Sequence, residues 1–179
     1  MADDASFDDF YLATRNVVLG QLTAMTLDRE LAADTVQEAY TRAWQRWSRV
    51  SDMEDPTAWV RTVAWRLAVS QFRRRAVAST LLGRLDRDPF EVEVDAAVNL
   101  DVLAALHALS PEHRRVLVLH EMVGMPVREV AAEVGVAEGT VKSRLSRARE
   151  RLGAALGPDY LGDAAPADGD ALMSEEERR

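Results

Sequence analysis

The chain has 179 residues, of which 47% are apolar and 29% charged, and its formal net charge is -8. These values are typical of a globular protein with one or two small domains, and the absence of cysteine excludes disulfides, thiolate zinc sites and cysteine nucleophiles. No stretch reaches the roughly 20 apolar residues of a membrane span, and the N-terminus is acidic where a signal peptide would be basic, so we expect a cytoplasmic protein without membrane insertion.

Apolar spacing predicts three helices in the first part of the chain, over about residues 6–20, 28–47 and 56–75. The second has an apolar stripe made of Leu31, Thr35, Val36, Ala39, Ala43 and Trp47. The third has a start signal, because Asp55 can cap it and Pro56 suits its first turn. The three helices predict one small bundle spanning residues 6–75.

The third helix carries aromatic side chains among arginines. Trp59, Val63, Ala64 and Leu67 can face the core, whereas Trp65 and Phe72 lie on a partly different face among Arg61, Arg66, Arg73, Arg74 and Arg75. This combination suits single-stranded DNA, because each ring can stack a base for about 1 to 3 kcal/mol while guanidinium groups hold the backbone. The alternative is that the rings are core residues and the arginines a solvated helix end.

Helical periodicity weakens over residues 76–97, where acids accumulate, and this predicts a flexible linker.

A second bundle is predicted over residues 98–153. It begins with a helix near Leu100 to Leu109, followed by a helix that Ser110 caps and that runs to about Val123. Residues 154–179 are acidic and poor in apolar side chains, so we expect a disordered tail.

The run from Val127 to Leu152 predicts two short helices folded about Gly135, a helix-turn-helix. The apolar stripes are Val127, Val130, Ala131 and Val134 in the first helix and Val141, Leu145, Ala148 and Leu152 in the second. The outward face of the second helix carries Thr140, Lys142, Ser143, Arg144, Ser146, Arg147, Arg149 and Arg151. Hydroxyl donors and cations are what a helix needs to contact phosphates and base edges in a major groove.

The predicted fold class is all-α, with two small helical bundles joined by a flexible acidic linker, the second containing the helix-turn-helix. Net-basic blocks at residues 56–87 and 113–151 alternate with three net-acidic blocks. Because charges more than about 8 to 10 Å apart are largely screened at physiological salt, a local basic surface can bind phosphate on an acidic protein.

An enzyme is the first alternative to a DNA-binding protein. His120 and Glu121 match the first two residues of the His-Glu-x-x-His zinc-binding helix of metalloproteases, but Gly124 occupies the position where the second histidine is required. We therefore expect no catalytic residues, metal or cofactor.

A stand-alone helix-turn-helix regulator is the stronger alternative. It would bind duplex DNA specifically by itself.

Three blocks together resemble the bacterial RNA polymerase sigma factors of the extracytoplasmic function class. They are Asp34-Thr-Val-Gln-Glu-Ala-Tyr-Thr-Arg-Ala-Trp44, the segment from Pro56 to Arg75, and the segment from Leu109 to Leu152. The likeness covers about residues 6–153, in the family's order and spacing. It implies a protein that binds core RNA polymerase and directs promoter-specific initiation.

The resemblance also implies roles for particular residues. The clamp helices of the polymerase's largest subunit would bind Asp34, Gln37, Glu38 and Thr41, and the flap region of the polymerase would be a further contact of the chain. The minus 10 promoter element would be captured and opened by Arg61, Trp65, Arg66, Ser70, Arg73 and Arg74. The family commonly has Asn and Asp at the positions of Arg66 and Ser70, so this chain departs from the pattern there.

The helix after Gly139 resembles the reader of the minus 35 element. Base-edge contact is expected from Lys142, Ser143, Arg144 and Ser146, and phosphate contact from Thr140, Arg147, Arg149, Arg114 and Arg115. The implied partners are core RNA polymerase and promoter DNA in double- and single-stranded form. An anti-sigma protein, which often sequesters factors of this class, is a further partner that the resemblance suggests.

Overall fold

The computed structural model describes residues 2–82 and 100–156, and all regular secondary structure in these ranges is helical. The helices are α1 (Ala2–Thr26), α2 (Arg29–Trp44), α3 (Trp47–Val50), α4 (Pro56–Leu82), α5 (Leu100–His107), α6 (Pro111–Leu117), α7 (Val127–Val134) and α8 (Glu138–Leu156), with a π-helical turn at Val118–Met122. The predicted all-α class is confirmed. Most of the predicted tail (residues 157–179) and of the predicted linker (residues 83–97) lies outside the described residues, whereas residues 154–156, predicted to begin the disordered tail, are the last residues of α8.

Several helix boundaries differ from the prediction. The first helix, predicted over about residues 6–20, extends over Ala2–Thr26, and two other differences have identifiable reasons. α4 continues to Leu82, because residues 76–82 contain neither glycine nor proline and the first helix breaker is Gly83. The helix predicted to reach Trp47 instead ends at Trp44. Its last turn tightens there, since the Arg46 N–H donates to the carbonyl of Ala43 at 3.1 Å, and a short α3 follows.

The first bundle consists of α1, α2 and α4 around one apolar core. Its buried residues are Val18, Leu22, Ala32, Val36, Ala39, Tyr40, Ala43, Trp47, Val50, Val60 and Ala64. Asp55 caps α4 as predicted, because its carboxylate accepts the N–H of Ala58 at 2.9 Å. At one end of the bundle, Phe7, Phe10 and Tyr11 pack against Tyr40 and Trp47, with the Phe7 and Trp47 ring centroids 5.2 Å apart.

The second bundle consists of α5 to α8. Its buried apolar residues are Leu106, Leu109, Val116, Leu117, Val118, Leu119, Val130, Ala131, Val141, Leu145 and Ala148. These include the central positions of both apolar stripes predicted for the helix-turn-helix.

The end of α1 belongs to this second core, so the two bundles are in contact. Ala24, Met25 and Leu27 pack among its residues, and Leu27 is only 2% exposed although it adopts a left-handed backbone conformation with φ 56°. Asp28 follows at once and caps α2, accepting the N–H of Leu31 at 2.8 Å. The sequence predicted two bundles on a flexible tether and gave no sign of this contact.

Candidate nucleic-acid interface

The turn of the helix-turn-helix depends on Gly135. It is in the left-handed region, with φ 74° and ψ 37°, and the N–H groups of Gly135 and Val136 both donate to the carbonyl of Ala131, at 2.9 and 3.1 Å. This arrangement ends α7 and sets the direction of α8, because glycine has no Cβ to clash in the left-handed conformation.

Gly135→Ala is expected to lower the free energy of unfolding by about 1 to 2 kcal/mol, the cost of a left-handed L-residue. A Cβ at this position would meet nothing within 4 Å, so the loss comes from the backbone and not from a collision. Urea denaturation of the purified protein measures it. Gly139→Ala is the matched control, since Gly139 lies in α8 at ordinary φ with equally open space, and it should leave stability unchanged or raise it slightly. Equal losses in both variants would contradict this role of Gly135.

The outward face of α8 presents cations and hydroxyls to solvent. Exposed on it are Thr140, Lys142, Ser143, Ser146, Arg147, Arg149 and Arg151, while Arg144 is half-buried. Arg149 forms an exposed ion pair with Glu121, Nη2 to Oε1 at 2.7 Å, and the Ser143 hydroxyl donates to the carbonyl of Thr140. Lys142 and Arg147 take part in no ion pair within the described part of the chain.

His113 lies near the base of α8. Burial lowers its pKa, and repulsion from Arg151, Arg144 and Arg147 lowers it further. His113 pairs with Ser110, Oγ to Nδ1 at 2.6 Å. Ser110 was predicted to cap α6. Its hydroxyl instead bonds to the His113 ring and makes no hydrogen bond to the helix backbone.

A cleft of about 330 Å³ opens between α4 and the second bundle. Its lining residues are Thr62, Trp65, Arg66, Val69, Ser70, Arg73, Arg115 and Glu133. It therefore brings together four of the residues assigned to the minus 10 element and one, Arg115, assigned to the minus 35 element. Arg74 is exposed, whereas Arg61 is only 2% exposed.

Glu133 of α7 lies between two arginines from different bundles. Its carboxylate is 3.5 Å from Nη2 of Arg61 and 3.6 Å from Nη2 of Arg115. The guanidinium of Arg115 also stacks over the Trp65 ring at 4.9 Å from the centroid. Burial lowers the pKa of Arg115, and the charge of Glu133 opposes that shift, so the guanidinium remains charged.

Arg114 lies inside the protein. It is 7% exposed, and its Nε and Nη1 donate to the carbonyls of Met25 and Leu106 at 2.9 and 3.1 Å. The phosphate contact predicted for Arg114 is therefore not available to it in this structure, because its donors bind carbonyls of α1 and α5. Arg115, predicted for the same role, is half-buried and directed at the cleft.

The exposed face of α2 is acidic and amide-rich, as the sequence predicted for a protein interface. Asp34, Gln37, Glu38 and Thr41 are all exposed, while the predicted apolar stripe is buried on the opposite face. Trp44, three residues beyond Thr41, is 56% exposed, and the sequence reasoning assigned it no role of its own. The sequence did offer one indication of such a role, because Trp44 is the last residue of the block from Asp34 to Trp44 that carries the family resemblance.

Neither a metal site nor a membrane helix is found in the part of the chain that the structure describes. No three histidine, aspartate or glutamate side chains there come together as metal ligands. None of the described helices is both long and apolar enough to cross a bilayer.

Comparison with known proteins identifies both bundles. The chain matches the sigma-70 region 2 family over residues 10–77 and the sigma-70 region 4 family over residues 99–152. The ECF RNA polymerase sigma factor SigL of Mycobacterium tuberculosis is 37% identical over 134 residues, which cover 72% of this chain and 76% of SigL. The RNA polymerase sigma-E factor of Streptomyces coelicolor is 30% identical over 156 residues, covering 85% and 86%.

The fold has a counterpart among solved structures. The sigma factor RpoE in complex with the anti-sigma factor NepR, from Bartonella quintana, superposes with a TM-score of 0.76 at 26% identity, covering 86% of this chain and 98% of RpoE.

The two matched regions and their helical fold define a sigma factor of RNA polymerase. The chain belongs to the extracytoplasmic function family of these factors, and it directs promoter-specific transcription initiation. A stand-alone helix-turn-helix regulator is not favoured, because that class does not account for the region 2 match over the first bundle.

Proposed function

We propose that three helical surfaces divide the work of initiation. The exposed face of α2 binds core RNA polymerase, α4 captures and opens the minus 10 element, and α8 reads the minus 35 element. The observation that carries this proposal is the outward face of α8, where cations and hydroxyls are presented on a helix held by a glycine-dependent turn.

The α2 surface suits an electrostatically matched protein interface. Asp34 and Gln37 are exposed, and Glu38 is held by Arg42, Nε to Oε1 at 2.8 Å. An exposed ion pair of this kind contributes little to folding, so Glu38 can exchange Arg42 for a cation of the clamp helices at small cost. Trp44 adds a large apolar surface at the edge of the charged face. Aromatic anchors of this type dominate the affinity of many interfaces.

Trp44→Ala is expected to weaken binding to core polymerase about tenfold or more, because truncating an aromatic anchor of an interface typically costs about 2 kcal/mol. Fluorescence titration of dye-labelled protein with core enzyme measures the dissociation constant. Leu12→Ala is the control, since Leu12 is also apolar and 68% exposed but lies on α1. Similar weakening in both variants would show that Trp44 is not a specific anchor.

The α4 surface combines accessible cations with a half-buried ring. Arg66, Arg73 and Arg74 are exposed and can hold the backbone of a displaced strand, and Trp65 and Ser70 line the cleft where an extruded base would enter. Unpairing costs a few kcal/mol, which stacking and pocket contacts must offset. Because Arg66 and Ser70 replace the usual Asn and Asp, we propose that the base preference of this helix differs from the family pattern.

The α8 surface would enter the major groove of the minus 35 element. Lys142, Ser143, Arg144 and Ser146 are assigned to base edges, and Thr140, Arg147 and Arg149 to phosphates. Arg149 must first leave Glu121, which an exposed pair allows. Arg114 is left out of this surface because its donors form buried hydrogen bonds to carbonyls of α1 and α5.

Membership of the family supports proposals about where the chain acts, what chemistry it leaves to the polymerase and which protein sequesters it. The chain acts in the cytoplasm and performs no catalysis itself, since nucleotide polymerisation belongs to the core enzyme. The structural likeness to RpoE, solved with an anti-sigma factor, supports the proposal that a comparable protein sequesters this chain.

Run-off transcription tests the proposal. Core polymerase is supplied with genomic fragments, with and without this chain, and a characterised sigma factor serves as the positive control. We expect promoter-specific transcripts only when the chain is present. Their absence where the control factor is active, with no inhibitor bound, would overturn the proposal.

A further inference from the structure

The outward face of α8 carries exposed cations that no acid of the two bundles neutralises. Lys142, Arg147 and Arg151 are exposed and take part in no ion pair within residues 2–82 and 100–156. Arg149, on the same helix, already pairs with Glu121 at 2.7 Å. Cations that bind phosphate also bind carboxylates through charge-assisted hydrogen bonds, so this face can accept an acidic segment of protein as well as DNA.

The residues that follow α8 are strongly acidic. The helix ends at Leu156, and residues 157–179, here called the acidic tail, carry seven acids, two cations and a formal net charge of -5. The acids are Asp159, Asp163, Asp168, Asp170, Glu175, Glu176 and Glu177. The tail is therefore an anionic segment joined directly to the helix whose cations are unpaired.

The spacing of the acids along the tail matches the spacing of the cations along the helix. At a rise of about 1.5 Å per residue, three cations lie roughly 8, 14 and 21 Å before the end of α8: Arg151, Arg147 and Lys142. For the disordered tail that the sequence predicts, at about 5.5 Å × √n, three acids have r.m.s. distances of roughly 10, 15 and 21 Å from Leu156: Asp159, Asp163 and Asp170. A tether whose length matches the span gives the highest effective concentration, in the millimolar range for short tethers.

We propose that in the free chain the acidic tail folds back along α8 and occupies its outward cations, so that DNA must displace the tail before it can bind this helix. The proposal rests on the function proposed for α8. Exposed ion pairs are weak and salt-sensitive, so the tail lowers the affinity of the free chain for DNA without blocking it permanently.

The contact is tested on the full chain without DNA. The chain has no cysteine, so a nitroxide label can be placed in the tail at Ala165→Cys. A tethered label broadens amide signals at the end of α8 whatever its charge, so the informative signals are those of residues 142–147. We expect broadening there at about 0.1 M salt and its loss at about 1 M, where the Debye length falls from about 10 to 3 Å.

Two charge-matched variants show whether the acids cause the contact. The tail variant combines Asp159→Asn, Asp163→Asn and Asp170→Asn. The control variant makes the same three changes at exposed positions of the first bundle, Asp8→Asn, Asp9→Asn and Asp52→Asn. With the label in place, the control should keep the broadening of residues 142–147 at about 0.1 M salt, and the tail variant should lose it.

The consequence for DNA is measured with a fluorescein-labelled duplex of about 20 base pairs and mixed sequence, because phosphate contacts do not depend on base sequence. Anisotropy titration at about 50 mM salt should show the tail variant binding at least about fivefold more tightly than the wild type, as expected if the tail occupies about four fifths of the free chains. The control variant should stay within about twofold. The difference between the two variants should shrink at about 200 mM salt.

Equal DNA affinity of the two variants would overturn the proposal. Absence of broadening at residues 142–147, its persistence in the tail variant, or its appearance at the arginines of α4 instead would also overturn it. Run-off transcription by the wild-type chain with core polymerase separates this failure from failure of the proposed function. If promoter-specific transcripts are made, the proposed function stands without the tail contact, and if none are made the proposed function itself has failed.

Discussion

Replacing Lys142 and Arg147 together by alanine is expected to reduce transcription from promoters with the cognate upstream element about 30-fold or more. Both side chains are exposed on the outward face of α8, and neither is occupied by an intramolecular ion pair in the described residues. A well-placed base contact is worth about 1 to 3 kcal/mol, and loss of a phosphate contact adds to it. Every 1.4 kcal/mol is a factor of ten in affinity.

The double variant Arg46→Ala with Arg49→Ala is the matched control. It also removes two exposed cations, but from the start of α3 and from α3 itself in the first bundle, so it tests whether net charge alone explains the effect. Transcription should be measured on the cognate promoter and on versions with a scrambled upstream element. Unchanged activity of the Lys142 and Arg147 variant across these promoters would refute the placement of the reading helix.

Trp65→Ala is expected to impair opening of the duplex about 5- to 150-fold while closed-complex binding changes little. The range corresponds to the 1 to 3 kcal/mol of one base stacked on an aromatic ring. The measurement is permanganate reactivity of thymines in the melted region, with core polymerase present. Trp65→Phe should retain most of the opening, because phenylalanine still offers a ring to the base.

Trp59→Ala distinguishes lost stacking from lost packing. Trp59 lies on the same helix and packs against the first core, whereas Trp65 contacts both cores and the guanidinium of Arg115. If Trp65 acts by stacking, Trp59→Ala should leave permanganate reactivity near the wild-type level at a temperature where it remains folded. Equal reactivity in Trp65→Ala and the wild type would show instead that Trp65 is a core residue.

The local features of the fold could be predicted because each depends on neighbours in the sequence. The stripe of α2 is buried, Asp55 caps α4, and Gly135 forms the turn before α8. Periodicity and capping chemistry act over a few residues, so the sequence displays them directly. The same reasoning identified the exposed positions of α2 and the outward face of α8.

Long-range contacts could not be predicted in this way. Arg114 and Arg115 are adjacent cations before an apolar run, and nothing near them shows that one bonds the carbonyl of Met25 while the other covers Trp65. Glu133 likewise looks like a solvated acid of a short amphipathic helix. Its charge partner Arg61 is 72 residues away, and only the packed bundles bring the two together.

Because α1 contributes to both cores, the residues that pack together in the second core extend beyond those that the region 4 family covers. The region 4 family covers residues 99–152, yet Ala24, Met25 and Leu27 cover part of that region's apolar interior. A fragment restricted to the matched residues would leave Leu106 and its neighbours without this cover and would lose the carbonyl that Arg114 binds.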